Sequence, residues 1–151
     1  MTRSMTLTLH NDPAEISRML DGFETFVASN NISTASAAEI ALALDEVVSN
    51  VINYAWTDQF RHEFILSLSI SENCFTATLV DDGVAYDPSM RAPVRLSADL
   101  NDQTIGGLGI HLANAMVDRL EYRREDGLNK LKLLKNLANL KAPSGTRAGP
   151  R

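Results

Sequence analysis

Residues 4–10 alternate, with Met5, Leu7 and Leu9 on one side and Thr6, Thr8 and His10 on the other. That is the period-two signature of a half-buried strand. Asp12-Pro13-Ala14-Glu15 then reads as a helix start, with Asp12 as the cap, Pro13 at the first helical position and Glu15 reaching back. Ile16, Met19, Leu20, Phe23, Phe26 and Val27 follow at helical spacing and carry the helix to about Asn30. Ser33-Thr34-Ala35-Ser36 opens a second helix, with Glu39 three residues beyond Ser36 as the partner in a capping box. Ile40, Leu44, Val47, Val48, Val51, Ile52 and Ala55 form its apolar face, which runs out near Trp56 or Thr57. Residues 63–70 and 73–80 alternate again, the first with Phe64, Leu66, Leu68 and Ile70 facing one way, the second with Phe75, Ala77 and Leu79. The turn Ser71-Glu72-Asn73 makes them an antiparallel hairpin.

The pattern breaks over 82–107, which holds Pro88, Pro93, Gly83, Gly106 and Gly107 and few large apolar residues. So long a stretch without periodicity is usually functional or disordered. Residues 108–117 read as a short helix, Leu120-Glu121-Tyr122 as the start of a strand, Asp126-Gly127 as a hairpin turn and Leu131 and Leu133 as the returning strand. Pattern is lost after Lys135. The order β-α-α-β-β-loop-α-β-β places strands in hairpins and not in βαβ units. The predicted fold is an α+β two-layer sandwich: a mixed, mainly antiparallel sheet with helices on one face. One domain is expected over residues 1–137, with 138–151 as a disordered tail.

Composition narrows the chemistry. The chain has 151 residues, enough for a self-sufficient core, and a net charge of −5, which argues against nucleic acid as a partner. Arg119, Arg123, Arg124, Lys130, Lys132 and Lys135 are interleaved with Asp118, Glu121, Glu125 and Asp126, as on a solvated hairpin. One cysteine, Cys74, excludes a disulfide within the chain and any multi-cysteine metal site. No apolar run approaches a membrane span and no signal peptide is evident, so a cytoplasmic location is expected.

Three segments carry candidate chemistry. In the second helix Glu46 and Asn50 share one face, one turn apart. The plain alternative is the wet side of an amphipathic helix. Asparagine is a poor interior helix former, however, and a neutral oxygen beside a carboxylate suits hydrated Mg²⁺. The second segment, Leu79-Val80-Asp81-Asp82-Gly83-Val84-Ala85-Tyr86-Asp87-Pro88, ends an apolar strand on paired aspartates. It is either a turn or a site where Asp81 accepts a hydrogen bond from an exocyclic amine, with Gly83 close to the base. The third, Ile105-Gly106-Gly107-Leu108-Gly109-Ile110-His111, leads glycines into a helix start. It is a hinge or an anion site that follows neither the P-loop nor the Rossmann pattern.

Taken in order, these segments resemble the N, G1 and G2 boxes of the GHKL (Bergerat-fold) superfamily, and most of all its bacterial anti-sigma factor serine/threonine kinases. The resemblance covers roughly residues 5–137. It implies ATP and Mg²⁺ as cofactors, with Asn50 as metal ligand, Glu46 as general base, Asp81 reading the adenine amino group, and Gly83 and Ala85 beside the ring. Gly106, Gly107, Leu108 and Gly109 would line the phosphates, and residues 86–105 would form the ATP lid. It further implies phosphorylation of an anti-sigma factor antagonist of the STAS type, sequestration of a sigma factor, and a homodimer. Two positions depart from the pattern. Ala85 stands where many members have a second glycine. Lys132 is aligned with a threonine that helps Asp81 hold adenine, and a lysine there is expected to weaken the pocket. That departure motivates the alternative, a regulatory module acting by contact without catalysis.

Overall fold

The computed structural model describes residues 3–85 and 113–137. Its elements are β1 (Arg3–His10), α1 (Glu15–Asn30), α2 (Thr34–Tyr54), β2 (Glu63–Ser71), β3 (Cys74–Asp81), β4 (Arg119–Glu125) and β5 (Leu128–Asn136). Five strands form one sheet in the order β1-β2-β3-β5-β4, and every neighbouring pair is antiparallel. Residues 113–116 are helical, the described end of the helix expected over 108–117.

Both hairpins follow from their turns. Glu72 and Asn73 lie at φ 51° and 65°, and Asp126 and Gly127 at 55° and 78°. Two left-handed residues in succession match the right-handed twist of the flanking strands. They set the pairs Ser71 with Cys74 and Glu125 with Leu128.

Register decides which side chains are covered. Leu9 pairs with Phe64, Leu66 with Leu79, Leu79 with Leu131 and Ala77 with Leu133, so these side chains share one face. The same residues form one core with Met19, Phe23 and Phe26 of α1 and Ile40, Leu44, Val47 and Val48 of α2. Both helices therefore lie on that face, as expected of a two-layer sandwich. Phe75 meets Phe23 and Phe26 edge-on, each with ring centres 6.0 Å apart. The opposite face carries Thr6, Ser67, Thr78 and Lys132.

The helix starts differ from expectation in detail. α1 begins at Glu15, not at Pro13, and no side chain caps it. Asp12 Oδ1 instead accepts from the Ala14 N–H at 2.9 Å, which turns the chain ahead of the helix, and Glu15 Oε1 accepts from the His10 N–H at 2.9 Å. α2 is capped by Ser33, whose Oγ accepts from the Ser36 N–H at 3.2 Å. Glu39 is not part of that box: its carboxylate pairs with Lys135 Nζ at 2.8 Å, tying α2 to β5. Asn31 closes α1 in the left-handed conformation, at φ 55°.

Candidate functional site

The long apolar stripe of α2 lies on the sheet, and Asn50 interrupts it. Asn50 is 8% exposed, and its Nδ2 is the one buried side-chain polar atom without a hydrogen-bond partner among the described residues. A buried amide left unpaired is costly, commonly about 1–3 kcal/mol. Such a group in a folded protein calls for a functional explanation. Asn50 borders a cleft between α2 and the Asp81 end of the sheet. Val47, Val51, Ala55, Leu79, Val84 and Leu131 supply the apolar walls, and Asp81, Tyr122 and Asn129 the other polar groups. Apolar walls with a few convergent polar groups are what a small-molecule site requires.

Asp81 ends β3 on the covered face, 7% exposed. Its Oδ1 accepts from the Gly83 N–H at 2.8 Å and from Asn129 Nδ2 at 2.9 Å. Among the described residues nothing donates to Oδ2, which leaves one carboxylate oxygen for a ligand. Burial pushes the Asp81 carboxyl above the ordinary aspartate value; Asn129 and Gly83 oppose the rise through their bonds, and Arg124 through its charge.

Asn129 is the residue that sequence reasoning missed. It sits directly across from Asp81 on β5. Its Nδ2 also donates to the Val84 carbonyl at 2.8 Å, and its Oδ1 accepts from Tyr122 Oη at 2.5 Å and an Arg124 guanidinium nitrogen at 3.0 Å. The same Arg124 nitrogen donates to the Gly83 carbonyl at 2.9 Å. The turn after β3 is thus tied to both strands of the last hairpin. Lys132, by contrast, does not reach the cleft. It pairs with Thr78 and Glu121 on the uncovered face and is exposed, so the expected interference with Asp81 is corrected. Leu131 and Leu133 point into the core on either side of it, and a strand residue between two core residues must point away.

The tight approach at Gly83 is to protein. A Cβ there would lie 2.2 Å from the Ala55 carbonyl oxygen, and the neighbouring Val84 N–H donates to that same oxygen at 2.7 Å. The turn is packed on Ala55, the residue that caps the end of α2, and only glycine allows it. Ala85 is exposed at its outer end.

Glu46 lies one turn before Asn50 and is half-buried, outside the cleft lining. Its carboxyl is raised by burial and, less, by the neighbouring Asp45 charge. Such a shift moves a carboxylate toward the range useful to a general base. The structure thus brings Asn50 and Asp81 to one cleft, while Glu46 lies one helical turn from Asn50 and does not line it. Gly106, Gly107, Leu108, Gly109 and the proposed lid lie outside the described residues. No group of three acidic, His or Cys side chains able to hold a metal exists among the described residues. Asn50 fits Mg²⁺ all the same, because that ion is usually held by one or two protein oxygens together with water and substrate phosphates. No described helix is long and apolar enough to cross a membrane.

Comparison with known proteins places the fold in a family. The model of the histidine kinase-like ATPase domain matches residues 9–135. The serine/threonine-protein kinase BtrW of Bordetella bronchiseptica is 30% identical over 99 residues, 66% of this chain and 70% of that protein. The serine-protein kinase RsbW of Listeria innocua is 21% identical over 133 residues, 85% of each chain. The crystal structure of the RsbU and RsbW domains of Rv1364c from Mycobacterium tuberculosis shares the fold, with a TM-score of 0.66 at 14% identity over 89% of this chain and 32% of that one. The chain belongs to the histidine kinase-like ATPase family, the GHKL fold, and within it is related to the RsbW and BtrW protein kinases.

Proposed function

We propose that this chain is an ATP-binding serine/threonine protein kinase that phosphorylates an anti-sigma factor antagonist and sequesters a sigma factor. The observation that supports the reading is the unpartnered Asn50 Nδ2, a buried donor at a mainly apolar cleft that Asp81 also lines. Asp81 Oδ2 would accept the exocyclic amine of adenine, and the Val47, Val51, Leu79 and Leu131 side chains would exclude water from the ring. Asn50 Oδ1 would ligate Mg²⁺. The ion would supply charge neutralisation at the phosphates, one part of the positioning and electrostatic stabilisation on which phosphoryl transfer depends. Glu46, with its raised carboxyl, would take the proton of the attacking hydroxyl. Gly106, Gly107 and Gly109 would offer backbone N–H groups to the phosphates, and Leu108 would sit within that cradle. A STAS-type antagonist as substrate, a sigma factor as ligand, a homodimer and a cytoplasmic setting complete the reading. They rest on the resemblance and on kinship with kinases that cover similar lengths.

The competing reading, a regulator acting by contact alone, drew its motive from Lys132, which faces away from the cleft. Transfer of radiolabelled γ-phosphate from ATP to candidate antagonists separates the two. Labelling of a serine or threonine on one antagonist, lost in Glu46→Gln, is the expected result. Full regulation in cells by Glu46→Ala, with no labelling of any antagonist in vitro, would favour contact alone.

A further inference from the structure

The turn that follows Asp81 is held from a side the nucleotide reading does not use. Trp56, just past the end of α2, donates from Nε1 to Asp82 Oδ1 at 3.0 Å. Its indole lies flat on the His62 ring, with centres 4.6 Å apart and planes 3° from parallel, and it leans on Phe64 at 6.2 Å. His62 is fixed in turn: its Nε2 lies 2.7 Å from Asp58 Oδ1, and its backbone N–H donates to Asn11 Oδ1 at 2.8 Å. The indole is therefore stacked on an anchored imidazole and tilted against a core phenylalanine, which limits the freedom of its N–H to wander from Asp82.

We propose that Trp56 is a positioning residue for nucleotide binding, holding the Asp82 carboxylate so that the Asp81–Val84 turn keeps Asp81 Oδ2 aimed into the cleft. The inference rests on the nucleotide reading above. Asp82 is next in sequence to Asp81, and Gly83 and Val84 are already fixed by Arg124, Asn129 and the Ala55 carbonyl. Those bonds secure the far half of the turn. Asp82 is its exposed near half, and the indole N–H is the one side-chain donor that reaches Asp82 among the described residues. Without it the peptide between Asp81 and Gly83 gains rotational freedom, and the Gly83 N–H bond that orients the Asp81 carboxylate is the first to suffer.

The test uses the full chain and four variants: Trp56→Phe, which keeps a ring for the His62 stack but loses the N–H; Asp82→Ala; Asp82→Asn, which keeps the acceptor; and the double variant Trp56→Phe/Asp82→Ala. Calorimetric titration with Mg²⁺ and ADP is paired with amide hydrogen exchange at Gly83 and Val84, read by nuclear magnetic resonance. The expected result is an ADP affinity about fivefold weaker for Trp56→Phe and for Asp82→Ala. The double variant should be no weaker than either, because both singles break one interaction, and Asp82→Asn should remain within about twofold. Gly83 exchange should accelerate in the first two variants and not in Asp82→Asn, with melting temperatures little changed. Additive losses in the double variant, or unaltered Gly83 exchange in Trp56→Phe, would overturn the proposal. If the wild-type chain takes up no ADP, the nucleotide reading falls, while the exchange data still decide whether Trp56 orders the turn.

Discussion

Asn50 places a polar amide where the packing of α2 asks for an apolar side chain. Replacing it with leucine should stabilise the protein by about 1 kcal/mol, by removing an unpaired buried donor, and should abolish Mg²⁺-dependent nucleotide binding. Thermal unfolding and calorimetry on the same preparation check both halves, and a loss of stability would mean that the amide has a partner in solution. Glu46 makes an analogous prediction through pH. Its carboxyl is raised in the folded state, so the unfolded chain binds fewer protons across the interval between the two values, and stability falls as pH rises through it. Glu46→Gln should therefore raise the melting temperature at pH 7, and the gain should vanish near pH 4, where both states approach protonation. The same variant should lose phosphoryl transfer. Asp81 is also raised by burial, so nucleotide affinity should begin to fall at a less acidic pH than an ordinary aspartate would dictate.

The turn after β3 is where elements meet. It joins the end of α2, through Ala55, to the last hairpin, through Asn129 and Arg124. Gly83→Ala would drive a Cβ to 2.2 Å from a backbone oxygen that cannot step aside without moving α2. We expect a cost of at least about 2 kcal/mol in denaturant unfolding, the range of core overpacking, together with loss of nucleotide binding. The hairpin turns offer a gain. Glu72 is held at φ 51°, which glycine adopts freely, so Glu72→Gly should stabilise by up to about 1 kcal/mol. At α2, Ser33→Ala should cost about 1 kcal/mol through loss of the bond to the Ser36 N–H.

Across the whole molecule, one covered face and one uncovered face explain most of what the sequence made visible. Periodicity located the first hairpin and both long helices, because each buries a single apolar face against one core, while the Asp126-Gly127 turn marked the second hairpin. Capping details were harder to read: Asp12 and Glu39 are each able to serve several local partners, and the tertiary fold chose among them. Lys132 was misplaced by aligning it with a binding residue, although Leu131 and Leu133 on either side already required it to face outward. Asn129 escaped notice because an asparagine beside an Asp-Gly turn reads as turn chemistry. Only the pairing of β3 with β5 sets it against Asp81. The steric demand at Gly83 was legible as a close approach, but the partner, Ala55, belongs to another element and has no local signal.

The central claim is that α2 and the Asp81 turn form a nucleotide site whose metal is held by Asn50. Calorimetric titration of the full chain with ADP and ATP, with and without Mg²⁺, beside Asn50→Ala, tests it most directly. The account predicts binding that strengthens with Mg²⁺ in the wild type and loses that strengthening in Asn50→Ala. No binding at millimolar nucleotide, or an equal response to Mg²⁺ in both proteins, would contradict it.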